Sequence, residues 1–361
     1  MARSPFRSSL AAVTSAAVAA LLGVTGVAAP PAAAGAAATP TRSVTLLTHD
    51  SFAVSDDVLA AFTKRTGIAV KVLQAGDAGQ VLNQAILTAD RPVADAIYGI
   101  DRAFLGRAVG APLLARYRPA ALADVPEEYV AGTRGLLTPI DVADVCINVD
   151  ESWFAARDRT PPTTLADLAK PANRNLLVVE DPSTSSPGLA FLLTTVAAFG
   201  ETGWQDYWRR LRANGVKVVD GWEQAYYEEF SGGGQGGERP LVVSYATSPA
   251  AAVVYADPPV DSSPIGTMTH TCFRDVEYAG VLRNAEHPRE AERLVAFMLG
   301  EQFQADLPLQ MFVSPVREGT PLPKVFTENV DEPTDPYTLP ARTIDRKRDT
   351  WIREWTGTVL R

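Results

Sequence analysis

Cysteine and histidine are scarce: the 361 residues hold two cysteines, Cys146 and Cys272, and three histidines, His49, His270 and His287. That leaves no Cys cluster and no His pair at helical ligand spacing, and no Gly-x-Ser-x-Gly nucleophile elbow occurs. His49 beside Asp50 and Ser51 is the only histidine placed for catalysis, although neighbours in sequence need not face one another. Basic charge is also in deficit, with 33 Lys and Arg against 42 Asp and Glu. Nucleic acid is a poor partner for that balance. No apolar run beyond the first thirty or so residues is long enough to span a bilayer, and no internal repeat is evident.

The first stretch stands apart. Arg3 and Arg7 precede an uncharged Ala/Val/Leu run from Leu10 to about Ala29, then small residues and prolines, which is the layout of a secretory signal peptide. The run is also long enough to remain as an anchor. No cysteine lies near it, so lipid attachment at the cleavage point is not expected. Cleavage takes Arg3 and Arg7 with it, leaving 31 basic residues against 42 acidic ones and a net charge of −11. In an exported protein two cysteines favour a disulfide, Cys146 to Cys272, the alternative being two buried free thiols.

From Ser43 short apolar runs alternate with helical ones, which reads as α/β. "SVTLLTHDSF" is a strand, "SDDVLAAFTKRTG" a helix with an acidic start and a Gly stop, "IAVKVLQAG" a strand, "AGQVLNQAILTAD" a helix and "ADAIYGID" a strand. Ligands gather where such strands end. Past Pro139 the elements shorten. "NLLVVED" leads into "PSTSSPGLAFLL", and "GWQDYWRRLRANG", "VKVVDG" and "RPLVVSYA" follow. The Gly-rich 231–238 reads as a flexible surface loop, since no Lys-Ser/Thr follows it. "PREAERLVAFMLGEQFQADLP" reads as one helix, and the end of the chain as a polar, Pro-containing tail.

Three stretches carry candidate chemistry. "EDPSTSSPGL" puts Thr184 and Ser185 at the mouth of a helix, where free N–H groups and the dipole favour an anion; a plain helix cap explains one hydroxyl equally well. "DGWEQAYYEEF" interleaves Trp222, Tyr226 and Tyr227 with carboxylates, suited to a flat cation, or, read blandly, to an amphipathic helix. "VVSYATSPA" places Tyr245 ahead of a second hydroxyl-rich helix start.

The order of "THDSF", "AGQVLNQ", "EDPSTSSPGL", "DGWEQAY", "VVSYATSPA" and "SPV" resembles the thiamine-binding periplasmic proteins of bacterial ABC importers, over about 43–360. The resemblance implies a two-lobed periplasmic-binding-protein-like fold, with a hinge and an interlobe ligand cleft. Lobe 1 would take 43–140 plus 276–361 and lobe 2 141–275, after a leader and linker in 1–42. The strands carrying Cys146 and Cys272 would cross between the lobes. It implies a non-enzymatic carrier that takes thiamine or a thiamine phosphate to an ABC permease, with no cofactor, as an extracytoplasmic monomer.

Site residues implied are His49, Asp50, Asp77, Thr184, Ser185, Trp222, Tyr226, Tyr245 and Phe312. The family's first-strand Tyr is His49 here, a pocket Tyr is Ala251, and a Trp before the last Pro-Val is Phe312. Tyr255, one helical turn beyond Ala251, is positioned to replace a lost ring. Two alternatives remain at this level: a ferric-iron carrier using His49 and the Tyr226-Tyr227 pair, and a secreted hydrolase using His49.

Overall fold

The computed structural model describes residues 42–361; the expected leader lies outside them. The chain opens with β1 (Arg42–Thr48), α1 (Asp56–Thr66), β2 (Ile68–Gln74), α2 (Ala78–Leu87) and β3 (Ala96–Asp101). Helix α1 follows its sequence signals closely. Asp56 and Asp57 sit in its first turn, Lys64 and Arg65 in its last, and Gly67 ends it at φ 69°, where a side chain would be strained. Val58 and Phe62 turn inward.

Short helices α3 (Leu105–Gly110) and α4 (Glu127–Val130) lead to the long strand β4 (Thr138–Asp150). Next come α5 (Glu151–Ala155), α6 (Leu165–Leu168), β5 (Leu177–Glu180), α7 (Ser186–Ala213), β6 (Lys217–Val219), β7 (Leu241–Tyr245) and α8 (Ser248–Val254). The 17-residue strand β8 (Ile265–Val281) returns through the centre. Last are α9 (Pro288–Met298), α10 (Glu301–Gln310), β9 (Ser314–Pro315), α11 (Lys324–Asn329) and α12 (Ala341–Val359).

One sheet runs through the described residues in the order β2-β1-β3-β8-β4-β7-β5-β6, with β9 added on β4. Its outer parts are parallel, β1 with β2 and β3, and β5 with β6 and β7. Its centre is antiparallel, where β8 lies between β3 and β4. Positions 141 and 275, where the sequence suggests one lobe gives way to the other, fall inside β4 and β8. The β4–β8 ladder breaks register between Val145 and Ile147, whose partners are Phe273 and Met268. Cys146 sits at that break, joined by a disulfide to Cys272, and both are buried.

Two readings of the sequence change. The run from Pro288 is two helices, α9 and α10, because Gly300 is extended (ψ 151°) and starts the second. The polar tail contains α12, a 19-residue helix with Ile344, Trp351, Trp355 and Val359 buried. Its length joins distant parts of the fold. Trp355 meets Trp208 of α7 edge-on at 5.4 Å, and Arg348 lies 5.0 Å over the Phe104 ring beside α3. The kink that separates the two halves of α7 is at Gly200, with φ 70° and ψ 175°.

The disulfide closes a 126-residue separation, and loops of that length lose about 3–5 kcal/mol of unfolded-state freedom when bridged. Replacing both cysteines by serine is expected to lower the unfolding free energy by about that amount, read by urea titration, and reductant should lower the melting temperature of the wild type alone.

Candidate functional site

Strand ends and helix starts converge on a cavity of about 700 Å³, within the range of small-molecule sites. His49 and Asp50 leave the end of β1, and Asp77 caps α2. Trp222 follows β6, Tyr245 closes β7, and Phe312 precedes β9. With Tyr226, these seven of the nine expected site residues line the cavity. Thr184 and Ser185 do not. The Thr184 hydroxyl donates to the carbonyls of Asp181 (3.2 Å) and Asp220 (2.6 Å). Ser185 is fully buried, and its hydroxyl has no hydrogen-bond partner among the described residues. Ser186, one residue on, takes the position on the cavity.

The helix mouth that looked ready for an anion already holds a carboxylate. Asp77, only 8% exposed, accepts from the N–H of Ala78 at 2.6 Å, of Trp222 at 3.0 Å and of Ser186, in the first turn of α7, at 3.3 Å. Gly79 seals the same seam. Its N–H donates to the Thr184 carbonyl at 2.9 Å, and a Cβ there would lie 2.6 Å from that oxygen. The β1–β3 part of the fold is thereby latched to the β5–β7 part. Burial holds the Asp77 carboxyl above its usual range, against the pull of the Trp222 N–H, the nearby Ser185 hydroxyl and the N–H groups of Ala78 and Ser186.

One wall is aromatic. Trp222 stacks on Tyr226 with centroids 5.1 Å apart and planes at 23°, meets Tyr227 edge-on at 5.5 Å and Tyr245 tilted at 5.9 Å. Its indole N–H donates to the Ser244 hydroxyl at 2.8 Å, which fixes the ring. The "QAYYEE" segment is π-helical rather than α-helical, and such turns recur at functional sites. Across the cavity Tyr255 packs edge-on to Phe312 at 5.5 Å while remaining 67% exposed. It occupies the rim beside Ala251.

The floor is acidic. His49 Nε2 lies 3.7 Å from Glu277 Oε2. The Tyr98 hydroxyl lies 2.8 Å from the same carboxylate and 2.6 Å from Asp141. Burial alone would lower the His49 pKa, but Glu277 first, then Asp77 and Asp50, outweigh it and leave it raised above 6.5. Burial would raise Glu277, yet His49 and Tyr98 bring it below its usual value. Asp50, Asp77, Glu223, Asp257 and Glu277 all line the cavity, and among the described residues no lysine or arginine does.

Several of these residues carried no separate signal in the sequence. Gly232, Gly233 and Gly234, read as part of a surface loop, form cavity wall; a Cβ at Gly233 would collide with the Tyr226 carbonyl at 1.7 Å. Glu277 was hidden in "RDVEYAGVL", although Asp275 and Glu277 two apart in an otherwise apolar strand share a face. Glu223, Thr247, Ser248 and Met311 also line the cavity, as does Tyr227 of the aromatic stretch.

The hydrolase arrangement is not assembled: among the described residues no serine hydroxyl bonds to His49, which faces Glu277. No group of three or more His, Cys, Asp or Glu able to hold a metal occurs among them either.

The chain matches the family described as bacterial extracellular solute-binding protein over residues 91–345. Among curated relatives it is 29% identical to the thiamine-binding periplasmic protein of Salmonella typhimurium over 88% of this chain and 94% of that one. It is 28% identical to the Escherichia coli protein of the same name, with the same coverage. A solved periplasmic thiamin binding protein superposes with a TM-score of 0.76 at 26% identity, covering 88% of this chain and 96% of the other. Iron-bound HitA from Pseudomonas aeruginosa shares the fold at a TM-score of 0.67 and 23% identity.

Two outcomes follow from the latch and the floor. Asp77→Ala should weaken ligand affinity at least tenfold by calorimetry, since hydrogen bonds to a charged group contribute about 1.5–3 kcal/mol. Gly79→Ala should weaken it too, by forcing α2 from the α7 mouth. The second outcome concerns pH. Folded Asp101, Asp141, Glu180, Asp275 and His49 all have raised pKa values, burial being the first cause for the four carboxyls, with Asp275 pushed to about 7. The folded state therefore holds more protons than the unfolded one, so their contribution is complete below the unfolded carboxyl range and fades as pH rises through the folded values. The melting temperature should fall between about pH 5 and 8, and a rise across that window would contradict the assignment.

Proposed function

The chain belongs to the bacterial extracellular solute-binding protein family, and from that membership we propose that it captures thiamine outside the cytoplasm and delivers it to the permease of an ABC importer. The observation that carries this reading is the pairing of an aromatic wall with five carboxylates and no lysine or arginine in one cavity. Thiamine joins a flat pyrimidine to a permanently cationic thiazolium. A desolvated cation over Trp or Tyr gains about 2 kcal/mol, and carboxylates balance its charge. The relatives named for thiamine support the same ligand.

The same lining favours thiamine over its phosphates. A phosphate in this cavity would meet Asp77 at the helix mouth that otherwise suits an anion. In this reading the chain is a carrier and not an enzyme, works as a monomer, and is exported by its leader. Its two lobes, 43–140 with 276–361 and 141–275, hinge on β4 and β8 near the disulfide and close on the ligand.

Titration calorimetry with thiamine, thiamine monophosphate and the free pyrimidine tests the assignment. Thiamine should bind at sub-micromolar concentration and quench tryptophan fluorescence, the monophosphate should bind more weakly, and Trp222→Ala should cost about ten- to thirtyfold in affinity. No heat with any of the three sinks the ligand assignment. A visible absorption band on adding ferric citrate would favour the iron carrier instead.

A further inference from the structure

His49 is the only basic side chain lining the cavity among the described residues. It is held in place tightly. The residue is 8% exposed, its ring lies 5.5 Å from that of Tyr98 on β3, and a Cβ on neighbouring Gly99 would sit 2.4 Å from its Cδ2. Its Nε2 faces Glu277 of β8 at 3.7 Å and makes no hydrogen bond. The other charged groups acting on it are Asp77 at the start of α2 and Asp50 on its own loop, with Glu223 across the cavity. Every one of them is a carboxylate.

Behind Glu277, Tyr98 has one proton for two carboxyl groups. Burial raises Asp141 well above its usual value, whereas His49 and Tyr98 hold Glu277 below its own, and the Tyr98 hydroxyl is the donor to both. Glu277 is therefore the more acidic of the two. Its charge is met from behind by a phenol and from the cavity side by the imidazole.

We propose that His49 is a specificity-determining residue: its imidazolium neutralises Glu277 until an organic cation enters the cleft, and it then releases its proton to solvent, so that one cation is exchanged for one proton. The inference rests on the reading of the cleft as a site for a cation. An imidazolium and an organic cation both drawn to Glu277 repel each other at close range, whereas a neutral imidazole beside the bound cation removes that repulsion. A neutral ligand of the same shape would leave the proton in place. The exchange also couples affinity to pH. Below the His49 pKa each unit of acidification must strip a proton more tightly held, so affinity falls by up to about tenfold per unit.

The readout has to be specific to the imidazole, because Asp275, two residues from Glu277 on β8, is pushed to about 7 by burial and titrates in the same range. With three histidines in the chain, histidine-labelled nuclear magnetic resonance resolves each ring, and His49→Gln assigns the signal by its loss. At about pH 6.5 the His49 ring should be protonated without thiamine and neutral with saturating thiamine. Calorimetry in two buffers of different ionisation heat should show release approaching one proton, near zero in His49→Gln. Protonation of the thiamine pyrimidine itself is common to both proteins and cancels in that difference. Should His49→Gln not fold, Glu277→Gln should abolish the release by removing the carboxylate, and the wild-type His49 resonance, read with and without thiamine, decides the question by itself. Thiamine binding with an unmoved His49 signal and no proton release overturns the exchange and leaves the thiamine assignment standing. No heat with thiamine at any pH between about 5.5 and 8 overturns both.

Discussion

The pairing of β4 with β8 is the constraint on which the rest of the structure depends. These two strands run antiparallel down the middle of the sheet, with β3 joined on one side and β7 on the other. The strands that carry cavity residues hang from this pair, β1 through β3 and β6 through β5 and β7. The ladder slips by three residues at Cys146, where β8 bulges from Thr269 to Cys272. A bulge lets the two halves of the sheet take different orientations, and the disulfide keeps the slip from migrating along the strands. The weakest place in the ladder is thus the one tied by a covalent bond.

Charge in the cleft follows from where these strands bring carboxylates. Asp141, Asp275 and Glu277 all come from β4 and β8, and Asp101 from the end of β3. Ionising all four in a buried place would cost several kcal/mol each without partners. The structure resolves this by keeping Asp101 and Asp141 well above their usual range and by concentrating the remaining charge on Glu277, the member that faces the cavity. Glu277 thus adds its charge to the other carboxylates of the cavity, in a medium that screens it weakly.

The fold was largely legible in the sequence because its elements follow local rules. The βαβαβ opening, the helix signals of α1 and the Gly200 separation of α7 can each be read from periodicity and stop residues. What escaped were features set by contacts between distant residues. The break at Gly300 looked like a single Gly tolerated in a helix, and α12 owes its place to Trp351 and Trp355, whose burial depends on α7 and α3. In the site, the residues picked for ring or charge character reached the cavity, while Glu277 read as an ordinary strand position. Its importance arises only once β3, β4 and β8 lie side by side.

The hydroxyl-rich turn before α7 shows how a correct local rule leads to a different partner. Four hydroxyls and a Pro-Gly at a helix start do attract a negative group, by dipole and free N–H donors. The group that arrives is Asp77, a side chain from the other part of the molecule. Because it also caps α2 and accepts from Trp222, the attraction fixes the aromatic wall and joins the two parts of the fold at once. An anion-binding helix end has become an internal latch, and the ligand is left to meet the surplus of negative charge that the latch and the floor share.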